Sequence, residues 1–151
     1  MDCLIRNAMN QDASAISRII IGTLRESNAQ DYSSEIIDQV ELSFSPQAIL
    51  DLLSRRQVLV ATNDRHIVAT ASLDRDGVRS VFVDPIYQGR GIGRELMARI
   101  QSIAIKDGIN LLRVPSSITA EGFYASLGFK RIRDEFHESE RTIIMAKQLV
   151  H

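Results

Sequence analysis

The sequence predicts an α+β domain with a mixed, mostly antiparallel sheet and helices on its faces. Three observations carry that prediction. Apolar residues recur at helical spacing over much of 11–56, and β-rich runs fill 57–84. Between those runs and the next helical stretch, Gly89, Gly91 and Gly93 alternate within five residues.

The elements follow in order. "LIRNA" reads as a short first strand. From about Gln11 to Glu26, Ile16, Ile19, Ile20 and Leu24 share one helical face. "NAQDYSSEIIDQVELSF" reads as a loop and a second short helix, with Ser33 or Ser34 as its N-cap. Ser45 and Pro46 fit an N-cap and first helical position, opening "PQAILDLLSRR". The period then changes. "QVLVATN", "HIVATASLD" and "VRSVFVD" are three strands, joined by the turn sequences "NDR" and "RDG" into an antiparallel meander.

After the glycines, "GRELMARIQSIAIKDG" is helical, with Leu96, Ile100 and Ile103 on one face and Asp107-Gly108 as its end. "INLLRVPSS" is another strand, and "ITAEGFYASLGF" a short helix ended at Gly128. "FKRIRDEF" and "RTIIMAKQL" form a final strand pair.

Composition bounds the function. The 151 residues suggest one domain spanning 1–151, large enough for a sizeable core. The net charge is −1 and basic residues are dispersed, which predicts no nucleic-acid and no membrane partner. Cys3 is the only cysteine, so neither an internal disulfide nor a cysteine-based zinc site can form. His66, His137 and His151 are far apart and lack metal-ligand spacing, so no metal is expected. "MDCLIRNAMNQDAS" begins acidic and has no long apolar run; it does not read as a signal peptide. Apolar clusters such as "IIIG" are too short to span a bilayer. These features predict a cytoplasmic protein.

The glycine cluster carries the chemistry. A strand, a glycine turn and a helix start leave several backbone N–H groups pointing outward. The helix dipole adds partial positive charge, and glycine lets a ligand approach the backbone. Such a site suits a phosphate or pyrophosphate, and Arg90 and Arg94 could add charge-assisted bonds. A P-loop would need Lys-Ser/Thr after its last glycine, where "REL" stands. The dinucleotide fingerprint would need glycine at Arg94 and an early βαβ unit, where a meander stands instead. A tight turn without a ligand is the plain alternative.

"QGRGIG" matches Q/R-x-x-G-x-G/A, with Gln88, Gly91 and Gly93 in the defining positions after a β-run ending "VFVDP". Further on, Ala120, Tyr124, Gly128 and Phe129 in "ITAEGFYASLGF" fall on a second pattern, N-x-x-A-x-x-x-Y-x-x-x-G-F, with Ser117 where asparagine is commonest. Both motifs resemble the signatures of the GNAT superfamily of acyl-CoA-dependent N-acyltransferases. The resemblance extends over the element order from Leu4 to Leu149.

It implies a sheet whose fourth and fifth strands splay apart to admit the pantetheine arm of acetyl-CoA. That arm would bond to the backbone edge at Val81, Phe82 and Val83, as an added strand would. Pro85 cannot donate a backbone hydrogen bond, so strand pairing should end near it. The pyrophosphate would sit over the N–H groups of Gln88, Gly89, Arg90, Gly91, Ile92, Gly93 and Arg94, and Ser117 would join the cofactor site. The resemblance also implies Tyr124 as the acid for the departing thiolate, and it admits a homodimer. Phe123 reads as packing, and Tyr32 and Tyr87 as surface or loop residues. Val83 N–H is the candidate donor to the thioester oxygen.

Many relatives carry a glutamate base at the start of the fourth strand, where Gly77 falls here. The base therefore stays open among Asp74, His137, Glu138, Glu140 and a water chain. The segment "RESNAQDYSSEIIDQVELSF" is the expected acceptor region. Its acidic residues Glu26, Asp31, Glu35, Asp38 and Glu41 either attract a cationic amine or form a solvated helix face. The function expected is N-acetyl transfer from acetyl-CoA to a primary amine of a small molecule or peptide, without metal. The alternatives are a longer acyl group, a protein lysine or N-terminus as acceptor, and a non-catalytic acyl-CoA-binding regulatory domain.

Overall fold

The structure, a computed structural model, describes residues 3–27, 33–137 and 140–150. Among the described residues, seven strands form one sheet in the order β1-β2-β3-β4-β5-β7-β6. They are β1 (Leu4–Asn7), β2 (Gln57–Asn63), β3 (His66–Asp74), β4 (Gly77–Val83), β5 (Leu111–Ser116), β6 (Lys130–His137) and β7 (Glu140–Gln148). The helices are α1 (Ala13–Ser27), α2 (Ser34–Leu42), α3 (Pro46–Arg55), α4 (Ile92–Lys106) and α5 (Glu121–Ser126).

Local chemistry sets the boundaries. Ser45 Oγ accepts from Ala48 N at 3.2 Å and Pro46 follows it, so α3 starts where the sequence predicts. Asp64 and Arg65 both have positive φ, at 52° and 71°, which makes the β2–β3 turn the two-residue kind that suits strand twist. Gly108, at φ 80°, ends α4 as a left-handed residue past the last turn. At the other end of the chain, Arg6 forks onto Asp12 with bonds of 2.8 and 3.1 Å. Met9 N adds a 2.7 Å bond to the same carboxylate, tying β1 to the approach of α1.

Two cores lie on opposite faces of the sheet. On one face α4 and α5 bury Leu96, Met97 and Ile100 against Val78, Leu112, Ile143 and Met145. On the other, α1 and α3 bury Ile16, Ile20 and Ile49 against Val60. The predicted helical face of α1 is therefore its core face. Truncating a fully buried side chain such as Ile100 to alanine should cost about 2–5 kcal/mol.

The sheet is antiparallel except between β4 and β5, which run parallel and share the single pair Gly77↔Arg113. One further bond, Arg113 N to Asp76 O at 2.9 Å, reinforces that junction. Beyond it β5 pairs with β7, and β4 pairs only with β3. A register shift on β4 places both Ser80 and Val81 opposite one β3 residue, and Ser80 sits at φ 53°. This bulge bends β4 along the stretch where it leaves β5. The splay expected between the fourth and fifth strands is present.

Candidate active site

The open edge of β4 forms one wall of the site. Phe82 pairs across from Thr70, and Asp84 N donates to Val68 O at 2.8 Å. Antiparallel alternation therefore turns the amide and carbonyl of Val83 away from β3, toward the splay. The Val83 carbonyl accepts from Gln88 Nε2 at 2.9 Å and from Thr23 Oγ1 at 3.3 Å. Side chains on β4 divide between the faces. Val81 and Val83 pack with the α4 side, while Phe82 packs on the α1 side, edge-on to Phe44 at 6.1 Å.

The second wall is the turn into α4. Asp84 Oδ1 accepts from Ile86 N at 3.1 Å, stabilising a short 3-10 turn at Pro85–Tyr87. Gly89 and Gly91 have φ of 78° and 86°. Gly91 is the N-cap of α4 and supplies no side chain to cap it. The first helical bond runs from Glu95 N to Gly91 O at 3.1 Å. Ile92, Gly93 and Arg94 thus present N–H groups that have no partner within the helix. Together with the helix dipole they form an anion-ready surface. Gly93 has a different reason to be glycine: a Cβ there would lie 3.2 Å from Phe123 Cζ.

The third wall is the approach to α5. Ser117 Oγ accepts from Ala120 N at 3.2 Å and shapes the turn before the helix. Tyr124 is 5% exposed and packs edge-on against Phe123 and Phe129, at 5.1 and 5.8 Å. Burial pushes its phenol well above the ordinary tyrosine range, so it stays protonated through neutral pH.

These walls enclose a cavity of about 470 Å³. It gathers Val81, Phe82, Val83, Gln88, Gly89, Gly91, Ile92, Gly93, Arg94, Ser117 and Tyr124, which sequence reasoning had singled out. Arg90 is the predicted residue that stands outside the lining; its guanidinium lies 5.6 Å from the centre of the Tyr87 ring. Arg94 reaches across to Ser126 Oγ at 3.2 Å, bridging α4 and α5. The lining also includes Thr23, Tyr87, Thr119 and Phe123, none of which sequence reasoning placed there. Tyr87 lies one residue before the "QGRGIG" motif, and that adjacency was its one available signal. Thr23 comes from α1, sixty positions away from Val83, and nothing local marks it.

The candidate bases fare differently. Asp74 pairs across from Gly77 at the closed end of the splay and lies 3.9 Å from Arg56 Nε, away from the cavity lining. Glu138 lies outside the described residues, as do the side chains of His137 and Glu140; their backbones pair across the end of the β6–β7 hairpin. In the acidic segment, Glu41 pairs closely with Arg25 at 2.6 Å, and Asp38 lies 3.7 Å from the same guanidinium, largely exposed. Asp31 and Tyr32 lie outside the described residues. Among the described residues no three His, Cys, Asp or Glu side chains cluster as a metal site requires, and no helix is long and apolar enough to cross a membrane.

The sheet thus splays beside a glycine-capped helix start, and the buried Tyr124 lines the cavity between them. A family profile described as "Acetyltransferase (GNAT) domain" matches residues 28–148, and the chain belongs to that family. A GCN5-related N-acetyltransferase from Rhodopseudomonas palustris superposes with a TM-score of 0.93 at 25% identity, covering 99% of this chain and 97% of that one. The PaiA N-acetyltransferase from Thermoplasma acidophilum, solved in complex with coenzyme A, superposes at 0.84 with 22% identity, covering 98% and 99%. An uncharacterized N-acetyltransferase of Chlorobaculum tepidum is 29% identical over 140 residues, covering 89% of this chain and 80% of that protein. Other curated relatives match over short stretches. The N-alpha-acetyltransferase RimI of Mycobacterium tuberculosis is 41% identical over 56 residues, 36% of this chain and 35% of that protein. A Mycobacterium leprae protein is matched at 40% identity over only 15% of its length.

Proposed function

We infer that the chain is an N-acetyltransferase that moves the acetyl group of acetyl-CoA to a primary amine by direct attack in a ternary complex. One observation carries the reading: the edge of Val83 turned away from β3, the uncapped first turn of α4 and the hydroxyl-bearing Tyr124 line a single cavity. The residues present fit the co-substrate. Its pyrophosphate finds the N–H groups of Ile92, Gly93 and Arg94, and its pantetheine arm finds the β4 edge from Val81 to Val83.

Val83 N–H faces the gap and donates to the thioester oxygen as negative charge develops there. The amine nitrogen bonds to the carbonyl carbon as the carbon–sulfur bond breaks. Tyr124 gives its proton to the departing thiolate. The phenolate regains a proton from the acylated nitrogen, which sheds it to become a neutral amide. The net transfer is one proton from amine to sulfur, and Tyr124 ends as it began. Burial keeps the phenol protonated at rest, so its proton is in place when the thiolate departs.

The test is twofold. Acetyl-CoA should bind in calorimetry and raise the melting temperature; at one hundred times Kd the stabilisation is about 2.7 kcal/mol. A panel of amines should then release free thiol from acetyl-CoA. Absence of acetyl-CoA binding would remove the reading altogether. Binding without thiol release from any amine would turn the chain into an acyl-CoA-binding regulatory domain.

A further inference from the structure

A second concavity, of about 380 Å³, opens at the same β4–β5 junction on the other face of the sheet. The alternation of β5 and β7 fixes which face this is. Leu112, Val114, Ile143 and Met145 turn into the core beneath α4 and α5. Arg113, Pro115, Thr142 and Ile144 therefore turn the opposite way, toward the concavity.

Three guanidinium groups line it: Arg79 from β4, Arg113 from β5 and Arg133 from β6. Arg79 makes no side-chain hydrogen bond or ion pair with any described residue. It folds back over Gly77, its Nε and Nη2 lying 3.6 and 3.8 Å from where a Cβ at Gly77 would stand. Arg113 lies 3.7 Å from Asp76, too long for a hydrogen bond, and is 48% exposed. Only Arg133 is well paired, with Nε and Nη2 both on Glu135 Oε2 at 3.0 and 2.6 Å.

A fourth arginine adds to the cluster. Arg56 reaches β4, where it bonds Ser80 Oγ at 3.3 Å, and its buried Nε has no hydrogen-bond partner among the described residues. Desolvation, chiefly, loosens its hold on the proton; the nearby Asp74 opposes that, and the charges of Arg79 and Arg55 add to it. Positive charge is thus concentrated at the base of β4 beyond what Asp74, Asp76 and Glu135 answer with good geometry. Unspent guanidinium forks match a carboxylate in shape and charge.

The position defines what carries that carboxylate. Val83 lies at the open end of β4 and Gly77 at the closed end, six positions apart. At ~3.3 Å per residue the two ends are separated by about 20 Å. No free amino acid spans that distance, whereas an extended chain covers it in about five or six residues.

We propose that the concavity around Arg79 and Arg113 binds an acidic side chain of a peptide acceptor, placed about five or six residues beyond the amine that receives the acetyl group. This rests on the acetyl-transfer reading above. It narrows the acceptor from any primary amine to an acidic polypeptide.

The test uses the full chain and a series of octapeptides in which one glutamate walks from position 3 to position 8 in a background of glutamine and serine. Thiol release is measured in wild type, Arg79→Gln and Arg113→Gln, and peptide binding to the CoA-saturated protein is measured by calorimetry. Both arginines are exposed, and equal melting temperatures will establish that the variants fold. The wild type should prefer a glutamate at positions 6 and 7 over the all-glutamine peptide by about 10–100-fold in kcat/KM, the scale of a charge-assisted bond. The preference should reside in KM, weaken with salt, and collapse toward unity in each variant. Acetylation of every peptide with no dependence on glutamate position would overturn the acidic-acceptor proposal and leave acetyl transfer standing. A preference that survives both substitutions would overturn the assignment to this concavity. Position-dependent binding without thiol release would uphold the carboxylate site and overturn acetyl transfer.

Discussion

Gly93 and Phe123 meet closely: a Cβ on Gly93 would stand 3.2 Å from the ring's Cζ, so the ring would have to shift by a few tenths of an ångström to admit it. The contact joins the first turn of α4 to α5, so it couples the anion-ready helix start to the helix bearing Tyr124. Gly93→Val should push the ring and narrow the cavity, abolishing the thermal shift produced by acetyl-CoA. Phe123→Ala in the same chain should restore part of that shift by vacating the space. A double variant no better than Gly93→Val would show that the glycine serves the backbone instead of this contact.

Gly91 differs, because nothing lies within 4 Å of its missing Cβ and the demand is conformational. Its φ of 86° costs an L-residue about 1–2 kcal/mol. Gly91→Ala should therefore destabilise the protein by about that amount, measured by urea unfolding, and Gly91→Asn by less. An alanine variant as stable as wild type would mean that the turn rearranges without cost.

Much of this was legible in the sequence, because local chemistry decided it. Ser45-Pro46, "NDR", Asp107-Gly108 and the glycine cluster each act over a few residues, and each lies where the pattern placed it. The splay was legible only through the family resemblance, since no short-range pattern shows that β5 pairs with β7 and barely touches β4. Thr23, Tyr87 and Phe123 were missed as cavity residues for the same reason. Their roles arise from tertiary approach, and a threonine in an amphipathic helix carries no mark of the carbonyl it will meet. Asp74 was near Gly77 in sequence and is near it in space, yet both stand at the closed end of the gap.

Thr23 Oγ1 and Gln88 Nε2 converge on the Val83 carbonyl at 3.3 and 2.9 Å, and the same residue's amide faces the cavity. Losing one such bond costs about 0.5–1.5 kcal/mol, a factor of about 2–12. Thr23→Val keeps the shape and removes the hydroxyl, so kcat should fall by that factor. Thr23→Ser should restore it. Equal kcat in the valine and wild-type enzymes would separate Thr23 from the chemistry.

Asp12 has a stability role that pH should reveal. The forked bond from Arg6, chiefly, and the Met9 amide hold its carboxyl below the usual 3.8, against the opposing effect of burial. A group depressed on folding stabilises the native state above its unfolded pKa. That contribution is full near neutral pH and is lost as pH falls below about 4 through the lower folded value. Asp12→Asn should cost about 1–3 kcal/mol at pH 7 and progressively less in acid. Parallel pH–stability curves for the two proteins would contradict the assignment.

Tyr124 offers the most direct test of the mechanism. Tyr124→Phe keeps the ring against Phe123 and Phe129 and removes only the hydroxyl. If that hydroxyl protonates the leaving thiolate, kcat should fall by about 10²–10⁴-fold, the usual scale for a positioned acid. Affinity for acetyl-CoA should change little, because the β4 edge and the α4 first turn are untouched. Burial raises the phenol's pKa, so the wild-type profile should show no loss of activity from Tyr124 ionisation between pH 7 and its ordinary ~10. Steady-state kinetics on an acetylated amine, with thermal unfolding alongside, separates the outcomes. A folded Tyr124→Phe variant with wild-type kcat would remove the hydroxyl from the proton path. A parallel collapse of stability and acetyl-CoA binding would instead make the tyrosine a packing residue of the α5 wall.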